Sequence, residues 1–151
     1  MPSIQDLFSL RGRAFMVVGG ARDLGRDMAE ALAESGGDGA ITSRALESAQ
    51  ATARQLAVDQ GVAQHMATFG RLDVLVLNVG GGAPATPDEP ATFEERRPQD
   101  WRRLIELNLT APWIAAQRAT RVMGAHPGGS VIFIASIAGI IGRDRRVYQG
   151  G

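Results

Sequence analysis

The sequence has 151 residues, with 16 basic and 16 acidic side chains, no cysteine and a formal net charge of zero. A chain of this length is expected to form one domain over residues 1–151. Every basic residue is arginine, which excludes P-loop phosphate transfer and Schiff-base chemistry because both need a lysine amine. Without cysteine there are no disulfides or thiolate zinc sites, and two histidines cannot build a histidine-only metal centre, so no metal site is predicted.

Composition also restricts the compartment and the classes of partner. The segment Met1 to Leu10 lacks the cationic and apolar regions of a secretion signal, and no apolar run reaches about 18 residues. Balanced charge is not typical of a nucleic-acid-binding protein. We therefore expect a soluble, cytoplasmic protein with neither nucleic acid nor membrane as a partner.

The first elements are a strand, a glycine turn and a helix. A short apolar run, Ala14 to Val18, is typical of a strand buried on both faces. The turn Gly19 to Gly25 leads into a helix predicted from Leu24 to Ser35. Four apolar residues recur at helical spacing in it: Leu24, Met28, Ala31 and Leu32.

The next elements continue the alternation. A second strand is predicted at Gly39 to Thr42, and a second helix from about Ala45 to Leu56, which Ser43 can cap. An amphipathic stretch, Val62 to Phe69, precedes the clearest strand of the sequence, Leu72 to Leu77.

The last part of the chain predicts a loop, a long helix and a strand. The segment Asn78 to Arg97 is rich in Gly, Pro and Thr, and loops of this length are often found beside active sites. Pro98 opens a helix whose apolar positions continue to Met123, with Pro112 as a kink. A last strand is predicted at Ser130 to Ala135. Strands that alternate with helices indicate an α/β fold with a parallel sheet.

The turn after the first strand has the composition of a diphosphate-binding loop. It reads Gly19-Gly20-Ala21-Arg22-Asp23-Leu24-Gly25 and lies between a strand and a helix. Glycines there let backbone N–H groups approach a diphosphate at the positive end of the helix. The alternative is an ordinary tight connection between a strand and a helix.

A second feature follows about 20 residues later, where a dinucleotide fold meets the adenine ribose. Ser43-Arg44 stands there instead of the acid that would bind a free 2′-hydroxyl. Arg22 is directed to the same region, so two guanidinium groups could share one 2′-phosphate. This favours NADP over NAD, while the alternative for each arginine is a solvated surface residue.

Four motifs occur in a fixed order: Val18 to Gly25, Asp73 to Gly80, Trp101 with Asn108-Leu109, and Ser136 to Gly139. Together they resemble the short-chain dehydrogenase/reductase family, over almost the whole chain but only the N-terminal part of a typical member. The resemblance implies a doubly wound, Rossmann-like parallel sheet in strand order 2-1-4-5 and a domain incomplete at its C-terminus. The family's third strand would be short, at Gln55 to Asp59, or missing.

The resemblance also implies cofactor contacts in three places. They are the turn residues Gly19, Gly20, Arg22, Asp23, Leu24 and Gly25, the pair Ser43 and Arg44, and the segment Asn78, Val79 and Gly80. The chain departs from the family pattern at Asp23, where a middle glycine is usual. It also departs at Val18, where a threonine is usual, and at Leu77 and Val79.

Three catalytic roles carry over in the same way. Asn108 would hold a water of the proton relay, Ser136 would hydrogen-bond the substrate oxygen, and Tyr148 would be the acid/base. An ordinary tyrosine, with a pKa near 10, is a poor base at neutral pH. The family solves this with a lysine one helical turn later, and the residues after Tyr148 are Gln149, Gly150 and Gly151.

The expected function is that of an NADP-dependent oxidoreductase that interconverts a carbonyl and an alcohol on a small molecule. The resemblance also implies that full-length relatives are homo-oligomeric. One alternative is a catalytically inactive NADP-binding fragment, which the missing lysine favours. Another is a methyltransferase, against which Ser43-Arg44 argues because that class prefers an acid at the ribose.

Overall fold

The computed structural model describes residues 3–42, 61–81, 94–125 and 128–141. Four parallel strands within these ranges form one sheet. They are β1 (Ala14–Val18), β2 (Asp38–Thr42), β3 (Val74–Leu77) and β4 (Ser130–Phe133). Their order in the sheet is β2-β1-β3-β4. This confirms the predicted α/β architecture and strand order, with β3 and β4 as the fourth and fifth strands of the family scheme.

One short helix precedes β1, and the other helices lie between the strands in sequence. They are α1 (Ile4–Leu7), α2 (Asp23–Glu34), α3 (residues 61–69), α4 (Pro98–Ile105) and α5 (Ala111–Met123). None of the described helices is both long enough and apolar enough to cross a membrane. The predicted helix at 45–56 and the possible third strand at 55–59 fall outside the described residues.

Two apolar clusters show that helices cover both faces of the sheet. On one face, β1 and β3 pack against α5, with the buried residues Met16, Leu72, Leu75, Leu77, Ala115, Ala119 and Met123. On the other face, the same strands pack against α2, with the buried residues Phe15, Val17, Ala29 and Val76. Because alternate side chains of a strand point to opposite faces, the two central strands supply both clusters. The sheet is therefore doubly wound.

The buried face of α2 differs from the predicted one. Leu24 and Ala31 are exposed, and the buried residues of the helix are Gly25 and Ala29. Glycine has no side chain and alanine only a methyl group, so the helix backbone can approach the sheet closely here. The contact face is therefore rotated by one residue from the larger apolar positions. Met28 and Leu32 lie at the margin of this contact, as predicted.

The long helix is irregular, but the irregularity lies before Pro112 and not at it. A wide π-helical turn, Glu106–Thr110, joins α4 to α5. Pro112 has no N–H with which to bond the carbonyl of Asn108, and its ring needs space next to that carbonyl. Insertion of a π turn supplies this space, and such turns are frequent at functional sites.

Strand ends also differ slightly from prediction, although β1 is confirmed to the residue. β3 begins at Val74 and not at Leu72, since Asp73 is the first residue whose backbone bonds the neighbouring strands. β4 ends at Phe133 because β3 ends at Leu77, whose carbonyl accepts the last bond of this pair, from Ile134 N–H at 3.0 Å.

Asp73 ties the strands together at the amino end of the sheet. Its side chain is buried and accepts the Ala14 N–H at 2.8 Å and the Arg13 Nη1 donor at 3.0 Å. Arg71 binds it in bidentate fashion, with Nε at 2.6 Å and Nη2 at 2.7 Å. The backbone of Asp73 bonds Ala14 O and Ser130 N–H at 2.8 and 2.7 Å. Arg71 first, then Ala14 and Arg13, hold the pKa of this carboxyl well below its ordinary value, although burial opposes them.

His65 of α3 is also buried and secures the segment that precedes β3. Its Nε2 lies 3.0 Å from the Arg71 carbonyl, and its ring lies 4.7 Å from the Phe69 ring, centroid to centroid. Since a carbonyl can only accept, Nε2 carries the proton. Burial lowers the pKa of His65, so the neutral imidazole is favoured.

Replacement of Asp73 is expected to destabilise the fold strongly. Asp73→Asn keeps the shape but removes the negative charge that Arg13 and Arg71 bind. We expect a loss of about 2–3 kcal/mol in the free energy of unfolding, as measured by urea denaturation, because the two guanidinium groups stay partly exposed to water.

The matched control is Glu30→Gln, which removes an exposed pair in which Arg26 Nε lies 2.6 Å from Glu30 Oε1. Its cost should be about 0.5 kcal/mol or less.

The stabilisation by Asp73 should depend on pH. Because the pKa of Asp73 is lowered from 3.8 in the folded state, the stabilisation by this carboxylate is complete above that pH and is lost as pH falls below it. A difference between wild type and Asp73→Asn that stays constant down to acid pH would contradict this assignment.

Candidate active site

The candidate site lies at the carboxyl edge of the sheet, where β1, β2 and β3 end together. The register aligns Val18 with Thr42 on one side and with Leu77 on the other. Backbone bonds continue past these ends: Gly19 N–H and Gly20 N–H both donate to Thr42 O, each at 3.0 Å. Ligands of open parallel sheets bind in crevices at this edge.

Asn78 locks the glycine turn onto the end of β3. Its N–H donates to Val18 O at 2.9 Å, and its Nδ2 donates to Gly19 O at 3.2 Å. Gly19 has a φ of +83°, and a Cβ there would lie 2.6 Å from Asn78 O. Only glycine can therefore occupy position 19 without displacing β3.

Gly25 has the same requirement from the side of the helix. A Cβ on Gly25 would overlap Gly19 O and lie 2.5 Å from Asn78 Nδ2. The first turn of α2 thus lies directly against Gly19 and Asn78. Gly20 is constrained by β2 instead, since a Cβ there would lie 2.8 Å from Ile41 Cγ2.

The amino end of α2 has the features that a diphosphate needs. The first intrahelical bond runs from Arg26 N–H to Arg22 O at 3.2 Å, so the N–H groups of Asp23, Leu24 and Gly25 precede it. Such groups and the helix dipole attract anions. The Leu24 side chain is exposed at this end of the helix. The glycine cradle and the helix terminus therefore fit the diphosphate of a dinucleotide.

Arg22 and Asp23 flank this helix terminus, and both side chains are exposed. Arg22 Nε lies 3.6 Å from Asp23 Oδ2. Asp23 has a φ of +48°. Its backbone thus adopts the left-handed conformation that the usual glycine would adopt freely.

Asn108, in the π turn, holds the loop that follows β3. Its Oδ1 accepts the Gly81 N–H at 2.8 Å, and its Nδ2 donates to Gly81 O at 3.0 Å and to Leu104 O at 2.9 Å. A Cβ on Gly80 would lie 2.9 Å from Asn108 Oδ1. The structure therefore brings Asn108 and the segment Asn78 to Gly80 together.

Ser136 lies just beyond β4 at the same edge of the sheet. Its backbone carbonyl accepts Gly139 N–H at 2.9 Å and opens the 3-10 turn Ile137–Gly139. Ser136 is exposed. Three predicted site residues, Ser43, Arg44 and Tyr148, lie outside the described residues.

Two backbone partners in this region were not predicted from the sequence. Thr42 O receives both glycine N–H groups, and Gly81 is the partner of Asn108. The sequence does not indicate the role of Thr42, because any residue at that strand end would offer the same backbone carbonyl. For Gly81, the signal is the amide side chain of Asn108 between two leucines, Leu107 and Leu109, in a chain that also has a glycine-rich loop after β3.

Comparison with known proteins decides the family. The sequence profile described as short chain dehydrogenase matches residues 13–148. The chain belongs to the short-chain dehydrogenase family. This confirms the family resemblance of the four motifs.

Two named relatives are similar in sequence to most of this chain. The 3-oxoacyl-[acyl-carrier-protein] reductase of Aquifex aeolicus is 29% identical, covering 88% of this chain and 59% of its own length. The cis-4-hydroxycyclohexanecarboxylate dehydrogenase of Sinomonas cyclohexanicum is 34% identical, covering 87% and 57%. The chain thus spans less than three-fifths of the length of these relatives.

A solved structure of the family agrees with the fold. The NADPH-dependent 3-quinuclidinone reductase of Rhodotorula rubra superposes with a TM-score of 0.72 at 29% identity. The superposition covers 93% of this chain and 59% of the reductase.

Loss of the Asn108 amide should free the loop after β3. Asn108→Ala removes both bonds to Gly81 and is expected to cost about 1–2 kcal/mol of stability, since the site is exposed. Amide hydrogen exchange of Gly81 N–H should become faster.

The control for this loop is Thr120→Ala, which removes a hydroxyl bonded to the Ala116 carbonyl at 2.9 Å on α5. Asn108→Asp is a second comparison, because it keeps an acceptor for Gly81 N–H and loses the amide donor. Equal exchange rates of Gly81 N–H in wild type and Asn108→Ala would disprove the role of this side chain.

Proposed function

We propose that this chain binds NADP(H) and belongs to an oxidoreductase that interconverts a carbonyl and an alcohol on a small molecule. The observation that carries the proposal is the locked turn at the carboxyl edge of the sheet. There Asn78 holds Gly19, and Gly25 holds the amino end of α2 against both. Family membership supports this use of the turn.

Arginine placement supports NADP over NAD. Arg22 lies at the amino end of α2, and its nearest acid is the exposed Asp23. Arg44 follows Thr42, the last residue of β2, by two positions. Guanidinium groups are suited to bidentate contacts with a phosphate. The 3-quinuclidinone reductase of Rhodotorula rubra is NADPH-dependent, which agrees with this choice.

Bound NADPH would supply a hydride for the carbonyl carbon. The remaining chemistry falls to side chains of this chain. Ser136 would hydrogen-bond the substrate oxygen, and Tyr148 would give the proton to that oxygen. Asn108 would keep the loop after β3 in position through Gly81.

The substrate class is inferred from what the relatives share. Their names contain an oxoacyl group, a hydroxycyclohexane ring and a quinuclidinone. The skeletons differ, but a carbonyl or a hydroxyl on carbon is common to all three. We therefore propose that class and no single compound.

Cofactor selectivity can be tested by titration of the chain with NADPH and NADH, followed by nicotinamide fluorescence. NADPH should bind more tightly, because a 2′-phosphate adds charge-assisted contacts. Arg44→Ala should weaken the binding of NADPH by roughly tenfold or more. It should weaken the binding of NADH much less.

The control is Arg121→Ala, in the last turn of α5. That end of α5 leads to the start of β4 and hence to the opposite edge of the sheet, so binding should not change. Equal losses for the two cofactors in Arg44→Ala would overturn the 2′-phosphate assignment. Failure of wild type to bind either cofactor would overturn the proposed function.

Turnover tests the acid/base role of Tyr148. Tyr148→Phe removes only the phenol oxygen, so reduction of a carbonyl panel should fall by about 100-fold or more while NADPH affinity is retained. The measurement is NADPH oxidation by absorbance. NADPH binding without turnover in wild type would contradict the oxidoreductase assignment for this chain and leave a binding protein.

A further inference from the structure

Asp23 stands apart from the other described residues in its backbone conformation. Among the described residues other than glycine, it alone has a positive φ, at +48°. Aspartate and asparagine tolerate this region better than other side chains, and glycine enters it without penalty. The turn therefore holds a carboxylate at a position where the backbone itself favours glycine.

The carboxylate lies where an anion is most strongly attracted. Asp23 is the first residue of α2, a helix of 12 residues. Its side chain is 85% exposed, and the nearby Arg22 side chain is 67% exposed. A carboxylate in the first turn interacts favourably with the helix dipole, so the protein already supplies a negative charge at this end.

A bound diphosphate would meet that charge. The N–H groups that precede the first intrahelical bond belong to Asp23 and its two successors. A diphosphate on these groups lies close to the Asp23 carboxylate, and like charges repel. Arg22 Nε lies 3.6 Å from Asp23 Oδ2, so this carboxylate would compete with a bound phosphate for the guanidinium group.

We infer that Asp23 is an affinity-determining residue that weakens dinucleotide binding by its charge. This inference rests on the proposed function, because it concerns the same site. The protein would bind its cofactor less tightly than the same glycine turn without the carboxylate, and the repulsion by Asp23 would account for this loss of affinity.

Two substitutions separate charge from backbone conformation. Asp23→Asn removes the charge and keeps a side chain that tolerates a positive φ. Asp23→Gly removes the charge and relieves the backbone as well. Glu34→Gln makes the same change of net charge at the last residue of α2, roughly 17 Å away along the helix.

The experiment is titration of the four proteins with NADPH at low and high ionic strength. At low salt, Asp23→Asn should bind NADPH about twofold to tenfold more tightly than wild type, and Asp23→Gly at least as tightly as Asp23→Asn. Glu34→Gln should match wild type. High salt should narrow the difference between Asp23→Asn and wild type, because the carboxylate is exposed and screened.

Each result bears on a different claim. If wild type binds NADPH and Asp23→Asn binds it equally or more weakly, the inference is wrong and the proposed function stands. A gain that persists unchanged at high salt also overturns the inference, because a charge effect must be screened. If none of the four proteins binds NADPH or NADH, the proposed function itself fails.

Discussion

The contact between Asn78 and Gly19 determines how the rest of the site can be arranged. It joins the ends of the two central strands through Asn78 Nδ2 and Gly19 O, 3.2 Å apart. No Cβ fits at Gly19 or Gly25, so α2 can rest on this contact only if both positions are glycine. The position of the helix terminus, and hence of any anion it binds, follows from the sheet edge.

The opposite edge of the sheet is held by a different kind of interaction. There a buried carboxylate, Asp73, accepts hydrogen bonds from two guanidinium groups and from the Ala14 N–H. Breaking a buried pair is costly because it leaves an uncompensated charge. The buried carboxylate and its partners therefore lie at the amino ends of the strands, and the proposed cofactor site lies at their carboxyl ends.

Much of the fold follows from sequence pattern, and the failures have physical causes. β1 is an uninterrupted apolar run between turn residues, so its limits were predicted to the residue. The buried face of α2 was not, because hydrophobic periodicity gives weight to Leu24 and Ala31 and little to Gly25. A helix can approach a sheet closely where its residues are small, and a hydrophobicity scale does not take residue size into account.

The candidate site shows the same limit. The glycines and Asn108 can be identified from motif and position. The residue that an amide side chain hydrogen-bonds cannot, because it depends on how distant parts of the chain fold together. Gly81 became that partner because a π turn directs Asn108 toward the loop after β3. The sequence marks Asp73 only as part of a motif. Its role as an ion-pair partner is not evident there, since its arginine partners lie two and sixty residues away in sequence.

The two asparagines connect the site to different layers of the fold. Asn78 fixes the turn that leads to α2 on one face of the sheet, and Asn108 fixes the loop after β3 from α4 and α5 on the other. Both bonds end on the same short segment, Asn78 to Gly81. A shift of either helix layer must therefore move this segment, and with it the floor of the site. Asp23 is different, because its carboxylate is exposed and lies near the equally exposed Arg22 at the start of α2. A change of charge at this position therefore leaves the buried contacts of α2 with the sheet in place.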